Sequence, residues 1–184
     1  MTHLKIAVFG SAFNPPHMGH ADVVTQALAH FDRVILVPNF AHAFGKVMAP
    51  FDLRLAMAKM LHAQQNWKGR VIVSDIEQTL AAKKASGEPI YTFDVMEALE
   101  LIYFVCKLTF IVGPDNANAQ TWAKFYKSND IEKRWGRWVA QENKRIRSTS
   151  IRALIEQGQQ PPLEQCPANI VQQYRNFIER GSGV

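Results

Sequence analysis

Cysteine is scarce in this sequence, since only Cys106, inside an apolar run, and Cys166, in a proline-rich stretch, occur. Two isolated thiols form neither a disulfide framework nor a CxxC site, which predicts a reducing, cytoplasmic setting. Long apolar runs are also missing, because none approaches the roughly 20 residues of a membrane span. The first run turns to Gly10 and Ser11 after six residues, so no signal peptide is expected. We therefore expect no membrane partner.

Neither sign of charge dominates the chain, because 21 Lys and Arg stand against 16 Asp and Glu, a net charge of +5. This mild excess suits an anionic ligand without requiring nucleic acid, so none is expected as a partner. A basic segment with tryptophans, residues 127–147, nevertheless keeps RNA binding open as an alternative. A chain of 184 residues, 47% of them hydrophobic, is long enough for one sizeable core. We predict a single domain over 1–184, with 148–184 a C-terminal helical part packing on the sheet.

Short apolar runs alternate with stretches of helical period along the whole chain. The runs predict strands at 4–9, 33–37, 71–73, 108–112 and 138–140. Helices are predicted at 18–30, at 51–65, after 91–94 with Val95, Met96, Leu99 and Ile102 inward, around Trp122 and Phe125, at 151–157 and at 167–180. This order predicts a doubly wound, Rossmann-like parallel sheet flanked by helices. Ligands bind at the carboxyl ends of such strands, where three segments would form one cleft: 10–20, 38–46 and 113–115.

The turn after the first strand, residues 9–20 (FGSAFNPPHMGH), is the strongest chemical signal. Its small residues allow a close ligand, and the free N–H groups at the start of the following helix favour a phosphate. His17 and His20 share one helix face and can donate hydrogen bonds to phosphate oxygens. A surface or capping role for the pair is the alternative. No cysteine or acidic residue stands nearby as a third metal ligand, so we predict no metal held by the protein.

A second signal is residues 146–152 (IRSTSIR), where hydroxyl groups precede a helix. Ser148 and Thr149 at the helix start, with Arg152 one turn later, would bind phosphate through N–H groups, hydroxyls and a guanidinium. The alternative is an ordinary Ser/Thr cap followed by an exposed arginine.

Together the two segments resemble the HxGH nucleotidyltransferase superfamily and its ISSTxxR-like motif. The longer form, residues 10–20 (GSAFNPPHMGH), is similar to the nicotinate/nicotinamide mononucleotide adenylyltransferase branch. The matched motifs span residues 6–152. The resemblance implies that His17, His20 and Arg152 are catalytic. It also implies an ATP site, with Asp115 of the G-x-D motif on the ribose hydroxyls, formed by Gly10, Ser11, Phe13, Gly113, Asp115, Ser148 and Thr149.

The same resemblance implies a mononucleotide site further along the chain. Tyr91, Thr92 and Trp122 are similar to the part of the pattern that stacks and holds the pyridine ring. Lys46 resembles a loop lysine that reaches the mononucleotide phosphate. Arg54 stands where the family often has an arginine, and a solvated surface role is equally open.

The activity implied by the resemblance is transfer of the adenylyl group of ATP to nicotinate or nicotinamide mononucleotide, with Mg²⁺ carried by the substrate. Three residues depart from the family pattern: Ala12 for threonine, Asn14 for aspartate and Arg147 for the first serine. Arg147 either adds a phosphate contact or points outward. Two alternatives remain open: another phosphorylated acceptor such as phosphopantetheine, or a regulator that binds the nucleotide without turnover.

Overall fold

Five parallel strands form the centre of the computed structural model, which describes residues 3–41 and 47–181. They are β1 (Lys5–Ser11), β2 (Arg33–Pro38), β3 (Val71–Val73), β4 (Lys107–Val112) and β5 (Arg137–Val139). Their order in the sheet is β3-β2-β1-β4-β5, so β1 is central and pairs with β2 and β4. The order confirms the predicted doubly wound sheet. In such sheets a ligand cleft lies at the carboxyl ends of the strands, where the strand order reverses.

Alternate strand residues face opposite sides of the sheet and enter two separate cores. Ala7 and Phe9 of β1 join one cluster, whereas Ile6 and Val8 join the other. Because side chains alternate along a strand, a sheet that is apolar on both faces needs helices on both sides. This is why the strands read as uninterrupted apolar runs.

The helices divide between these two faces. Their bounds are α1 (Met18–Ala27), α2 (Phe51–Ala63), α3 (Ile76–Ala81), α4 (Thr92–Ile102), α5 (Ala119–Trp122), α6 (Ser128–Arg134), α7 (Ser148–Glu156) and α8 (Ala168–Gly181). Helices α1, α2, α7 and α8 contribute buried apolar residues to the cluster of Ala7, and α3, α4, α5 and α6 contribute them to the cluster of Ile6. No helix of the described part is long and apolar enough to cross a membrane.

Three local expectations need correction. Ile102, predicted inward, is 57% exposed, because α4 ends at this residue and no further turn covers it. Ser148 begins α7, with Arg147 as its N-cap, so the hydroxyls lie in the first turn rather than before it. Helix α6 was not predicted, because within its seven residues only Ile131 and Ser128 are buried and the period is too short to read.

Candidate active site

A cavity of about 870 Å³ opens at the carboxyl ends of β1, β2 and β4. It is lined by parts of the three segments expected to converge, including Gly10, Ser11, Phe13, Asn39, Gly113 and Asp115, together with Ser148, Thr149 and Arg152 of α7. Lys46 and its neighbours 42–45 lie outside the described residues. The convergence of the described segments follows from the parallel sheet, whose strand ends meet at one edge.

His17 and His20 stack on one another at the wall of this cavity. Their ring centroids are 3.8 Å apart, with the planes inclined by 29°. His17 is the N-cap of α1, and its Nδ1 accepts a hydrogen bond of 3.0 Å from the N–H of Gly19. His20 Nδ1 accepts one of 3.0 Å from the N–H of His17. Thus the pair caps the helix and faces the cavity at the same time.

Both imidazoles are neutral near pH 7. Burial, reinforced by the positive charge of Arg147, lowers the pKa of His17 to about 4. Burial and the neighbouring His17 lower the pKa of His20 well below its usual value. Since Nδ1 accepts a bond in each ring, the single proton of each neutral ring must lie on Nε2. His20 Nε2–H therefore donates to Ser11 Oγ at 3.2 Å, while His17 Nε2–H faces the cavity.

Gly19 is required between the two histidines. A Cβ atom added there would lie 2.9 Å from both Cε1 and Nδ1 of His17, closer than side chains pack. On the other side Phe13, with φ of 48° and a buried side chain, places its ring 4.8 Å from His20. The imidazoles are consequently held from both sides.

The start of α1 does not offer the free N–H groups expected from the sequence. The N–H of Met18 donates to the carbonyl of Gln165 at 2.8 Å, and that of Gly19 to His17. The N–H groups of His20 and Ala21 donate to the carbonyl of His17. Because the helix satisfies its own donors, the imidazoles are the groups that α1 presents to an anion.

Helix α7 supplies the free backbone donors instead. Its first intrahelical bond starts at Ile151, and in the described part of the chain no acceptor faces the N–H groups of residues 148–150. Ser148 Oγ donates to the carbonyl of Pro15 at 2.9 Å, and Arg152 Nη1 to that of Asn14 at 2.6 Å. These two bonds hold the free end of α7 against the turn that carries the histidines, as a phosphate site needs.

Asp115, which follows β4, is paired with the residue that departs from the family pattern. Arg147 Nη2 lies 2.9 Å from Asp115 Oδ1 and also contacts Glu142. Hydrogen bonding to Glu142, and the charge of Asp115, raise the pKa of Arg147. Gly113 and Asp115 line the cavity as expected, and Arg147 lines it as well.

The aromatic residues are placed differently from the expectation. Trp122 is 4% exposed and packs on Phe110, with Nε1–H donating to Glu132 at 3.2 Å, so the indole lies in the core beneath the cavity. Tyr91 and Thr92 do line the cavity, and Tyr91 stacks on Tyr126 with centroids 4.5 Å apart. Tyr126 was missed because a tyrosine in the turn four residues after the end of α5 carries no signal of its own.

Two further polar residues were missed as buried groups. Arg54 is 1% exposed and donates to the carbonyls of Ala49, Ala12 and Asn39 at 2.7 to 2.8 Å, so the solvated surface role does not fit. Glu77 accepts from the N–H of Phe40 at 2.6 Å. Burial raises the pKa of Glu77 to about 8. The position of Glu77 soon after strand β3 is the feature of the sequence that could have predicted its place at the cavity.

The cavity thus combines neutral imidazole donors, free helix N–H groups and arginines, which is a donor set for phosphate oxygens. In residues 3–41 and 47–181, no group of three or more His, Cys, Asp or Glu is arranged to hold a metal ion.

Similarity to known proteins agrees with this donor set. The family described as cytidylyltransferase-like matches residues 8–154. A Nitratiruptor protein named "Probable nicotinate-nucleotide adenylyltransferase" is 33% identical over 132 residues, 70% of this chain and 70% of that protein. A protein of the same name from Myxococcus xanthus is 32% identical over 71% of this chain and 66% of its own length. A Vibrio parahaemolyticus crystal structure described as a nicotinate-nucleotide adenylyltransferase shares 32% identity and a TM-score of 0.75, covering 93% of this chain and 98% of that one.

Proposed function

Because this chain belongs to the cytidylyltransferase-like family, and within it to the nicotinate-nucleotide adenylyltransferases, we propose that it joins ATP to nicotinate mononucleotide. The products are the dinucleotide and pyrophosphate, a step of NAD biosynthesis. Nicotinate is favoured over nicotinamide by the names of the relatives. Two free thiols, Cys106 and Cys166, suit the cytoplasmic setting in which this step is proposed to occur.

One observation carries the proposal: the neutral imidazole of His17 and the helix start of α7 with its free N–H groups line the same cavity. An anion between them would meet donors that are already oriented. Preorganised donors stabilise charge that grows in a transition state without having to reorganise at that moment. Because the imidazoles are neutral, the negative charge of the phosphates is balanced by the arginines and by the Mg²⁺ proposed to enter with ATP.

The reaction requires no protein nucleophile. A phosphate oxygen of the mononucleotide attacks the α-phosphorus of ATP, and the bond from that phosphorus to the leaving pyrophosphate breaks. In this scheme His17 donates to the α-phosphate, and Ser11, whose hydroxyl accepts from His20, keeps its own hydrogen for a phosphate oxygen. Ser148, Thr149 and Arg152 stabilise the pyrophosphate at the start of α7.

The remaining predicted residues divide between the two substrates. Gly10, Phe13 and Gly113 shape the ATP side of the cavity, and Asp115 is proposed to accept from the ribose hydroxyls. Tyr91 and Thr92 are proposed to face the pyridine ring, with Tyr126 as the exposed aromatic surface in place of the buried Trp122. Lys46 is proposed to reach the mononucleotide phosphate.

Mg²⁺ is proposed to enter with ATP, held by the phosphate oxygens, where it would neutralise charge on the triphosphate. The described residues fit this arrangement, because they contain no group of three or more His, Cys, Asp or Glu arranged to hold a metal ion, and Asp115 and Glu142 at the cavity are paired with Arg147.

A pyrophosphate-release assay with ATP and Mg²⁺ tests the proposal. Nicotinate mononucleotide, nicotinamide mononucleotide and phosphopantetheine are compared as acceptors. We expect turnover with the pyridine nucleotides and a higher kcat/KM for the nicotinate form. Turnover with phosphopantetheine alone would support adenylyl transfer from ATP but refute the pyridine mononucleotide as the acceptor. ATP binding with no turnover on any acceptor would favour the regulator, in which the site is retained and the reaction is not.

A further inference from the structure

Arg147 is a cationic side chain that stands outside the family pattern and lines the cavity. It is the N-cap of α7, the residue immediately before the free N–H groups of residues 148–150. Nη1 donates to the carbonyl of Ile146 at 3.2 Å, whereas Nη2 bridges the carboxylates of Asp115 and Glu142. The guanidinium is therefore fixed beside the helix start, without a bond to any hydroxyl there.

The position of this charge relative to His17 locates it near the reacting phosphates. Arg147 is the charged group that acts on the titration of His17, so its guanidinium lies within electrostatic reach of the imidazole that faces the cavity. Arg152, the other arginine of the helix, is already bonded to the carbonyl of Asn14 and to Thr149. Of the two arginines, Arg147 is therefore the one bonded to carboxylates, which a phosphate can replace.

Its partners are suited to exchange because they are partly solvated. The side chain of Asp115 is 66% exposed, and that of Glu142 is 29% exposed. Exposed ion pairs contribute little free energy, whereas a guanidinium binds phosphate through two oxygens at once. A triphosphate at the start of α7 would compete successfully for Arg147.

We propose that Arg147 is an additional ATP-binding residue of this chain. When ATP binds, the guanidinium breaks its ion pairs with Asp115 and Glu142 and binds the phosphates instead. The exchange frees Asp115 to accept hydrogen bonds from the ribose. This inference about Arg147 rests on the proposed function only because it takes ATP as the nucleotide that binds. The serine of the usual motif could not act in this way, since a hydroxyl carries no charge and is too short to reach Asp115.

Equilibrium binding of ATP and of adenosine by calorimetry tests the inference without turnover. We expect Arg147→Ser to weaken ATP binding about tenfold or more. Adenosine binding should stay unchanged or tighten, because Asp115 is then free for the ribose. Glu142→Gln, which removes a competing carboxylate and keeps the guanidinium, is expected to leave ATP binding unchanged or to tighten it. Arg145→Ser, the same loss of charge at an exposed residue two positions earlier, is the matched control and is expected to change ATP binding by less than about twofold.

Three results would overturn the inference. ATP affinity within about twofold of the unmodified chain in Arg147→Ser would show that no phosphate contact was lost. Equal weakening of ATP and adenosine would indicate a damaged cavity. An equal effect of Arg145→Ser would indicate a general effect of charge. Arg147-dependent binding of ATP by a chain that transfers no adenylyl group would instead refute the proposed reaction and leave this inference standing.

Discussion

Both histidines of the pair use Nδ1 for structure, whereas their Nε2 atoms differ: that of His20 bonds Ser11 Oγ, and that of His17 is proposed to donate to substrate. His17 and His20 accept backbone N–H groups at Nδ1, so protonation of that atom would break the cap of α1. The neutral form is consequently the one that fits the fold. A spacing of three residues produces this arrangement because the second imidazole reaches back to the N–H of the first.

Replacing His17 by alanine should lower kcat by about 10²-fold to 10³-fold, the usual cost of removing one preorganised donor. Replacing His20 by alanine should also lower kcat, because Ser11 Oγ and the N–H of His17 lose the ring that holds them. The KM for the mononucleotide should change much less, because neither ring is proposed to contact the pyridine. Steady-state kinetics of pyrophosphate release measure both quantities. His30→Ala, beyond the last residue of α1 and outside the cavity lining, is the matched control. An unchanged kcat in both site variants would refute the assigned role.

Gly19→Ala should reduce kcat nearly as far while leaving His17 in the sequence. The new Cβ would lie 2.9 Å from the imidazole, so the ring must move and lose its bond to the N–H of residue 19. Kinetics and the thermal midpoint should be measured together, with Gly181→Ala as the control because a Cβ there meets nothing within 4 Å. A variant with normal kcat would show that the ring position is unimportant.

Arg54 is the residue through which three elements are joined at the cavity. From α2 its guanidinium donates to the carbonyl of Ala12 after β1 and to that of Asn39 after β2. These carbonyls belong to the turns that bear the predicted site. Since buried polar groups need partners, the backbone of the turns depends on this side chain.

Arg54→Met should therefore lower both stability and activity, because it leaves several buried carbonyls without their donor, at about 1–3 kcal/mol each. Arg70→Met is the comparison, since Arg70 donates to the carbonyls of Leu28, Phe31 and Asp32 away from the cavity. We expect both variants to have a lower thermal midpoint and only Arg54→Met to lose kcat/KM at a temperature where both are folded. Equal kcat/KM losses would assign Arg54 to general stability.

At this same scale the sequence predicts some features and not others. The strands and long helices follow from local apolar patterns, and the cleft follows from parallel strand order. Three features do not follow: the burial of Trp122, the burial of Arg54 and the occupied N–H groups of α1. Each depends on which elements pack together in the fold: Phe110 of β4 on Trp122, the carbonyls of Ala12 and Asn39 on Arg54, and the carbonyl of Gln165 on the N–H of Met18. Local patterns contain no information about such partners.

At the scale of the whole molecule, two buried groups give the stability opposite dependences on pH. His17 has a pKa of about 4 in the fold against 6.5 as a free side chain, so its contribution to stability is present above pH 6.5 and is lost as the pH falls through 4. Glu77 has a pKa of about 8 against 4.5, so its contribution is present below pH 4.5 and is lost as the pH rises through 8. Maximum stability should lie between these limits.

Glu77→Gln separates the contribution of Glu77 to stability from that of His17. Glutamine has the size of glutamate and keeps an oxygen that accepts from the N–H of Phe40, but it does not titrate. The free energy of unfolding of the unmodified chain, relative to this variant, should fall between about pH 5 and pH 8 with a slope approaching about 1.4 kcal/mol per pH unit. Urea unfolding at several pH values measures it. Glu179→Gln, on the exposed face of α8, should run parallel to the unmodified chain. A parallel curve for Glu77→Gln as well would mean that Glu77 is ionised in the fold, in which case the carboxylate would repel the phosphates in the cavity that it lines.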